Sequence, residues 1–246
     1  MSNARHGNFS SSNIWKLMSN GKGADKNGND KNGNPLVGAP FKTYVQETRF
    51  EMRLGRALST DVSSRPALWG TLVEAYVNDA HVGLEYELAS TERLEHQFIA
   101  HWTGAPDLIS DDCVGDIKCP QLKNFCELSE ICLAGDVFEL KASYPEYFWQ
   151  LVSNAILTDV DYAELIVFCP YQDELAAIRE LAVEAGDKFK FIFYAKDDEL
   201  AYLPRDSFYK NVARLRFNVS GNVKEELSDR VELAVEKLLV GVLELA

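Results

Sequence analysis

The sequence has no long apolar segment. It contains 246 residues, 46% of them hydrophobic, but no run of about 18 apolar residues that would predict a transmembrane helix. The first residues are polar, without an apolar signal segment, so no export is expected. We therefore expect a cytoplasmic protein without membrane contact. A single α/β domain over residues 1–246 is the simplest prediction, with a mobile loop at 21–38 and a C-terminal helix at 221–246.

Paired cysteines are also lacking. No two of the five cysteines form a Cys-x-x-Cys pair, which makes a zinc site improbable, and an odd number leaves one thiol unpaired in any disulfide scheme. Reduced thiols in a cytosol are the expected state. An iron–sulfur cluster held by scattered cysteines stays open as an alternative. The cysteines are Cys113, Cys119, Cys126, Cys132 and Cys169.

The chain lacks basic charge as a whole but not everywhere. Its net charge is −13, whereas phosphate binding favours a basic surface. Residues 1–65 hold ten Lys and Arg against five Asp and Glu, a net of +5, and the remainder carries a net of −18. This distribution makes a coat of nucleic acid improbable and is compatible with a local basic channel.

Two familiar ligand-binding loops are absent. Residues 25–36 begin like a calcium loop, but the sixth and twelfth positions hold Asp30 and Leu36 instead of Gly and Glu. There is no phosphate-binding P-loop pattern. Gly, Asn, Lys and Asp dominate residues 21–38 and predict a long loop. Apart from this loop, we find no internal repeat and no low-complexity tract.

Apolar spacing predicts the order of the elements. A hairpin or meander is expected over residues 84–102, before the chemically informative stretch. The other expected elements are helices at 14–18, 43–58, 66–77, 122–133, 147–157 and 174–185 and from 223 onward, and strands at 163–169 and 189–194.

Residues 104–120 carry the chemistry. In an extended strand alternate side chains share a face, so Asp116 and Lys118 point the same way while Ile117 faces the core. If Asp107 begins a neighbouring antiparallel strand, two carboxylates and an ammonium converge. Two acids and a lysine suit a hard divalent cation and a water that it activates. The stretch therefore predicts the metal site of a nuclease.

The same residues resemble a known signature. Pro106-Asp107, a short run and then Asp116-Ile-Lys-Cys-Pro120 are similar to the motif of the PD-(D/E)xK nuclease superfamily. More narrowly they resemble its YqaJ-like viral recombinase branch, which includes phage lambda exonuclease. The likeness extends over residues 5–171. It implies an α/β, restriction-endonuclease-like fold: a mixed central sheet flanked by helices, with the acids at one sheet edge.

The resemblance assigns roles to five residues of the predicted site. Asp107 and Asp116 would ligate Mg²⁺, or Mn²⁺, together with the carbonyl of Ile117. Glu74 would help to hold the metal or shape its water shell; by pattern alone, a solvent-facing position is as probable as a buried one. Lys118 would position or deprotonate the attacking water and stabilise the phosphorane charge.

The resemblance also assigns substrate contacts. Gln150 matches a glutamine that orients substrate or water, but Asn154 stands where many relatives have Tyr. Arg5 and Ser12 resemble a segment that receives a 5′-phosphate, and a serine at a helix start beside a guanidinium suits an anion. Alternatively, Ser12 is only a helix cap and Arg5 belongs to a tail or leader. Arg65 is either a contact to the DNA backbone or a solvated loop residue.

The implied activity is a Mg²⁺-dependent 5′–3′ exonuclease that digests linear double-stranded DNA for recombination. The alternatives are a structure-specific or single-strand endonuclease of the RecB-like group and a catalytically silent DNA-binding module. The implied partners are double-stranded DNA ends, a single-strand annealing protein and other copies of the chain in a ring-shaped trimer. The implied setting is the cytoplasm of a bacterial host, with a phage or prophage gene.

Overall fold

The structure, a computed structural model, describes residues 6–25, 28–58, 64–80, 87–88 and 93–243. Two sheets lie within these residues. The strands are β1 Phe9–Ser10, β2 Glu87–Leu88, β3 Leu94–Glu95, β4 Trp102–Gly104, β5 Leu108–Ile109, β6 Cys113–Lys118, β7 Tyr162–Phe168 and β8 Val212–Asn218. The larger sheet has the order β2-β5-β6-β7-β8, with β6 and β7 parallel and its other pairs antiparallel. The smaller sheet has the order β1-β4-β3.

Helices surround the larger sheet. They are α1 Ala39–Leu54, α2 Arg65–Ala80, α3 Leu122–Ala134, α4 Val137–Ser143, α5 Pro145–Thr158, α6 Leu175–Glu184, α7 Lys190–Tyr194 and α8 Gly221–Leu243, with a 3₁₀ helix at Ser11–Met18. Prolines begin α5 and the first turn of α1, where the missing N–H has no helical partner to lose. None of the described helices is both long and apolar enough to cross a membrane.

Strand β6 is the structural centre of the larger sheet. Apart from the buried Glu164, its neighbour β7 is apolar, and it is buried over most of its length, as expected for a strand that is covered on both sides. Helices α2 and α5 both contact β6, and α3 contacts β7 and β8. The expected mixed sheet flanked by helices is therefore confirmed. The acids were expected at a sheet edge, but Asp116 lies on this central strand.

One predicted strand is wrong. Residues 187–194 form a short 3₁₀ turn followed by α7. Lys190 is the one charged residue in the run Phe189 to Tyr194, which is too few to reveal a helical period, so the run resembles a buried strand. In the structure Ile192 is buried while Phe193 and Tyr194 are exposed, the one-sided burial of a helix. Strand β8 and helix α4 were not predicted.

The loop at 21–38 contains a short tandem repeat. The pentapeptide Asp-Lys-Asn-Gly-Asn occurs twice in succession, over residues 25–29 and 30–34. Asp25 and Asp30 each accept a backbone hydrogen bond on Oδ1 from the asparagine four residues later, at 2.8 and 2.9 Å. Gly28 and Gly33 adopt φ of 79° and 81°, conformations that side chains rarely tolerate. The second repeat therefore closes its own turn, and the described residues of the first, Asp25, Gly28 and Asn29, make the matching contacts.

Candidate active site

The end of β6 presents the predicted charged pair. Ile117 is buried in the core at 1% exposure. Asp116 points to the opposite face of the strand and is also fully buried. The Lys118 ammonium and Asp116 Oδ2 form an ion pair, although the contact lacks hydrogen-bond geometry. The strand alternation expected from the sequence thus brings these two side chains together.

Asp107 joins this pair from the adjacent strand. It immediately precedes β5, which runs antiparallel to β6 with Leu108 opposite Gly115. Its Oδ2 accepts a hydrogen bond from the Ile117 backbone N–H at 2.8 Å. A Cβ at residue 115 would lie 3.1 Å from Leu108 Cδ1, so glycine allows the two strands to approach closely.

Helix α5 supplies the neutral partner of the buried aspartate. Gln150 Nε2 donates to Asp116 Oδ1 at 2.7 Å. A buried carboxylate without such donors is costly, so the amide and the Lys118 ammonium together make burial of Asp116 tolerable. Tyr147 lies three residues earlier on α5, with the Lys118 Nζ 5.5 Å from its ring centroid. Sequence reasoning missed Tyr147, although its spacing from Gln150 places it on the same helix face.

Glu74 faces the same cleft from α2, which rules out the solvent-facing alternative. The cleft, here called the acid cleft, has a volume of about 360 Å³ and is lined by Pro66, Ala67, Gly70, Thr71, Glu74, Ile117, Lys118, Cys119, Pro120, Gln121, Asn124 and Tyr147. Burial raises the pKa of Glu74, and the Asp116 charge raises it further while Lys118 opposes the shift. The acid cleft therefore gathers residues from α2, β6 and α5.

Asp107 and Asp116 lie beside the acid cleft rather than in its lining, and they add negative charge to that of Glu74. Burial, followed by the nearby Asp116, raises the pKa of Asp107 to about 9. Burial would lower the pKa of Lys118, but the carboxylates of Asp116 and Asp107 outweigh it and raise that pKa instead. Three carboxyl groups thus share a single ammonium.

This donor set fits a hard divalent cation in chemistry and charge. Carboxylate oxygens are the ligands that Mg²⁺ prefers, and the buried Asp116 Oδ2 contacts the Lys118 ammonium but has no other polar partner among the described residues. Burial is the main cause of the raised pKa of Asp107 and the Asp116 charge is the next, and a cation would offset that charge. In the described ranges no three His, Cys, Asp or Glu side chains form a group already shaped to hold a metal ion, and this includes Asp107, Asp116 and Glu74. The Ile117 carbonyl stays a predicted ligand.

The sequence matches no protein-family model and no curated protein. Its structure is similar to a phage-related exonuclease from Haemophilus somnus 129PT, with a TM-score of 0.67 at 17% identity, covering 97% of this chain and 96% of that one. The chain has the phage-exonuclease fold. An alkaline exonuclease from Laribacter hongkongensis, LHK-Exo, also shares it, with a TM-score of 0.60 at 16% identity over 98% of this chain and 92% of that one.

The chain is also similar to the structure of LHK-Exo in complex with dAMP. That structure has a TM-score of 0.61 at 16% identity and covers 99% of this chain and 93% of that chain. The resemblance inferred from the motif at residues 104–120 is therefore confirmed for the PD-(D/E)xK fold. It also extends past residue 171, where the sequence showed no recognisable motif.

The structure describes only part of the segment that was predicted to bind a 5′-phosphate. Arg5 lies outside the described residues. Ser12 is exposed, but Ser10 rather than Ser12 caps the 3₁₀ helix, so the alternative of a capping role for Ser12 is wrong. The Ser12 and Ser10 hydroxyls are 3.3 Å apart. Ser11 is turned inward, with its hydroxyl 2.8 Å from that of Ser153.

A polar cavity adjoins this segment and adds a cation that sequence reasoning missed. The serine cavity, of about 320 Å³, is lined by His6, Asn8, Ser10, Asn13, Lys16, Tyr44, Glu47, Thr48, Glu51 and Ala57. The Lys16 ammonium lies 5.2 Å from the Tyr44 ring centroid. Lys16 follows Ser12 by four residues in a predicted helix, and this spacing could have identified it from the sequence. Glu47 and Glu51 reduce the positive potential there.

Arg65 and Asn154 complete the predicted set. Arg65 is the first residue of α2 and exposed, with its guanidinium 5.4 Å from the Phe191 ring centroid, so it is not a fully solvated loop residue. Asn154 is fully buried on α5, and neither atom of its amide has a partner among the described residues. Ordered water normally satisfies a buried amide of this kind.

Proposed function

We propose that the protein is a Mg²⁺-dependent deoxyribonuclease, acting as a 5′–3′ exonuclease on linear double-stranded DNA. The observation that carries the proposal is the convergence of Asp107, Asp116 and Lys118 at the end of β6, with Gln150 bound to Asp116. The shared fold of the phage-type exonucleases supports it.

The carboxylates of Asp107, Asp116 and Glu74 would hold the cation, with the carbonyl of Ile117 completing the set. A bound Mg²⁺ polarises the phosphate and lowers the pKa of a bound water. Asp107 must release its proton to act as a ligand, because burial and the neighbouring Asp116 raise its pKa to about 9. Metal binding is therefore coupled to proton release from this side chain.

Lys118 acts on the phosphate and the attacking water. Its ammonium is held protonated by Asp116 and Asp107, which raise its pKa, so it donates hydrogen bonds before it can accept a proton. Donation to a phosphate oxygen stabilises the charge that develops as water attacks. Gln150 fixes the orientation of the Asp116 carboxylate through its hydrogen bond to Oδ1.

The 5′ direction rests on the N-terminal segment. Ser12 is exposed, and Lys16 supplies positive charge in the serine cavity beside it. Together with Arg5, these groups would bind a terminal phosphate. We propose that the substrate is the end of a DNA duplex and that the enzyme acts in DNA recombination.

The test uses defined DNA substrates with Mg²⁺. Linear duplexes with a 5′-phosphate or a 5′-hydroxyl are incubated beside nicked and closed circular DNA, with Asp116→Ala as the inactive variant. Asp111→Ala is the matched control, since Asp111 is exposed and five residues away. We expect degradation of the linear duplexes, faster with the 5′-phosphate, and loss of activity only in Asp116→Ala. No metal-dependent degradation of any substrate contradicts the nuclease proposal, and cutting of closed circles contradicts the exonuclease part.

A further inference from the structure

Helix α5 connects the residues beside the acid cleft with the segment that was predicted to bind a 5′-phosphate. Gln150 on this helix donates a hydrogen bond to Asp116, and Ser153 lies three residues later, near the same helix face. The Ser153 side chain is fully buried and does not line the acid cleft. It therefore takes no direct part in chemistry at Asp116.

A chain of three hydrogen bonds runs through Ser153. An indole N–H can only donate, so Ser153 Oγ accepts from Trp102 Nε1 at 2.8 Å. The Ser11 hydroxyl donates to the carbonyl of Thr103 at 3.4 Å. Each hydroxyl has a single proton, so Ser153 must be the donor in the remaining contact, in which its oxygen lies 2.8 Å from that of Ser11. Each proton of this chain thus has one direction.

Strand β4 holds both ends of this hydrogen-bond chain. Trp102 and Thr103 are consecutive residues of β4, which pairs in parallel with β1. Gly104 leaves room for the contact, since a Cβ there would collide with the Ser11 hydroxyl oxygen. The N-terminal segment is therefore attached to β4 through its backbone and to α5 through the Ser11 side chain.

The attachment to α5 fixes the exposed Ser12 relative to the buried Asp116. Ser11 and Ser12 are adjacent, the first bonded to Ser153 and the second exposed. Ser153 and Gln150 are less than one helical turn apart, and α5 contacts both the 3₁₀ helix and β6. A short piece of rigid helix therefore separates the segment that would receive the DNA end from the side chains that would cut it.

We propose that Ser153 is a positioning residue that sets the distance between the bound 5′ end and the phosphodiester that is cut. It touches neither the DNA nor the cation and acts through Ser11 on Ser12. The inference rests on the proposed nuclease function and goes beyond it, because a buried hydrogen bond then selects the first bond to be cut. A segment that is free to shift would deliver the 5′ end at several distances from Asp116.

The experiment compares the position of the first cut in wild type and Ser153→Ala. Linear duplexes with a radioactive 5′-phosphate are digested with Mg²⁺ under single-turnover conditions, and the length of the first labelled product is measured. Wild type should release one length and Ser153→Ala several. In steady state, the preference in KM for a 5′-phosphate over a 5′-hydroxyl end should fall about 2- to 10-fold, since one hydrogen bond is lost. The kcat should change little, because Gln150 and Asp116 keep their contact.

Ile178→Val is the matched control for a loss of stability alone. Ile178 is fully buried on α6 and lines neither the acid cleft nor the serine cavity, so its truncation loosens packing elsewhere. At a similar loss in Tm, this variant should keep the single product length and the wild-type preference. Equal changes in Ile178→Val and Ser153→Ala would overturn the positioning role.

Ser11→Ala breaks the same link from its other end and leaves the Trp102 bond to Ser153 in place. It should reproduce the change in product length and preference even if Ser153→Ala fails to fold. The double variant should lose no more of the preference than either single variant, because both changes remove one contact. Additive losses would contradict a shared link.

Binding in EDTA separates this inference from the proposed function. Fluorescence anisotropy gives the affinity for 5′-phosphorylated and 5′-hydroxyl duplexes without cleavage, and the ratio should fall in Ser153→Ala by the same 2- to 10-fold. A ratio that depends on Ser153 in a protein that cuts no DNA supports the positioning role and refutes the nuclease proposal. An active wild type whose product length and ratio are unchanged in Ser153→Ala overturns the positioning role alone. A wild type without any preference for a 5′-phosphate overturns both the positioning role and the 5′ direction.

Discussion

The acid cleft and the serine cavity differ in how their polar groups are held. At the end of β6, each functional group is fixed by a partner from another element: Asp107 by the Ile117 N–H and Asp116 by Gln150. In the N-terminal segment, one serine is used for structure, since the Ser11 hydroxyl bonds to Ser153 inside the fold. Ser12 is left exposed.

This difference indicates two kinds of binding site. The acid cleft is preorganised by sheet geometry and buried charge, so its residues are coupled and changes there should have large effects. The serine cavity depends on exposed side chains and on charges of both signs, Lys16 against Glu47 and Glu51. Changes in it should be small and additive.

The largest effect is expected from Lys118→Met. The methionine keeps most of the side-chain volume and removes the donor that stabilises the developing phosphate charge. Activity on linear duplex should fall about 10²- to 10⁴-fold. Lys123→Met is the control, because that lysine on α3 is 85% exposed. A loss below tenfold, measured under single-turnover conditions, would remove Lys118 from the chemical step.

Asp107→Asn should lower activity nearly as much and yet stabilise the metal-free protein. The asparagine still accepts the Ile117 hydrogen bond, but the charge required for the cation is lost, at a cost of about 10²- to 10³-fold in rate. The free energy of unfolding of the metal-free protein should instead increase, because the pKa of Asp107 is raised in the folded protein.

The pH dependence of that stability has a definite sign. The pKa of Asp107 rises from 3.8 to about 9 in the folded protein, so its contribution to stability is fully present below pH 3.8 and is lost as the pH rises towards 9. In EDTA, the Tm of Asp107→Asn minus that of wild type should therefore grow from pH 4 to pH 9. A difference that is constant with pH would contradict the raised pKa.

Gln150→Leu should have an intermediate effect. Without its amide, Asp116 Oδ1 loses the donor at 2.7 Å and the carboxylate is free to turn. Hydrogen bonds to charged groups contribute about 1.5–3 kcal/mol, so we expect roughly a 10- to 100-fold loss in kcat/KM. Gln97→Leu, at an exposed position, should change nothing. Equal activity of the two variants would show that Lys118 alone holds Asp116.

The smallest effects are expected in the N-terminal segment, where two neighbouring serines should behave differently. Ser11→Ala removes a buried hydrogen bond to Ser153 and should lower the free energy of unfolding by about 1 kcal/mol. Ser12→Ala should leave stability unchanged and reduce the preference for a 5′-phosphate over a 5′-hydroxyl end by about 2- to 10-fold. An unchanged preference would exclude Ser12 from phosphate binding.

The sequence predicted the acid cleft well because strand alternation is a local property. Asp116, Ile117 and Lys118 are consecutive, so their directions follow from one extended strand. Gln150 and Glu74 required the family resemblance, since nothing local shows that α5 and α2 face β6. The fold class and most helices followed from apolar spacing.

What the sequence could not give depends on long-range packing. The Arg65 guanidinium and the Phe191 ring meet across more than 120 residues of chain, and residues 189–194 were predicted as a strand. A short run in which only Lys190 is charged shows no clear period, so only its burial decides between helix and strand. The serine cavity likewise forms where α1 meets the N-terminal segment.

The contacts between Asp25 and Asn29 and between Asp30 and Asn34 make each pentapeptide of this loop a separate structural unit. In each, the Asp N–H bonds to the C=O of the Asn four residues on, at 2.9 and 2.8 Å, so the chain leaves a turn next to where it entered. The loop ends are joined separately, through Gly21 N–H to the Leu36 carbonyl at 2.6 Å. Gain or loss of one pentapeptide would therefore add or remove a complete turn at small entropic cost.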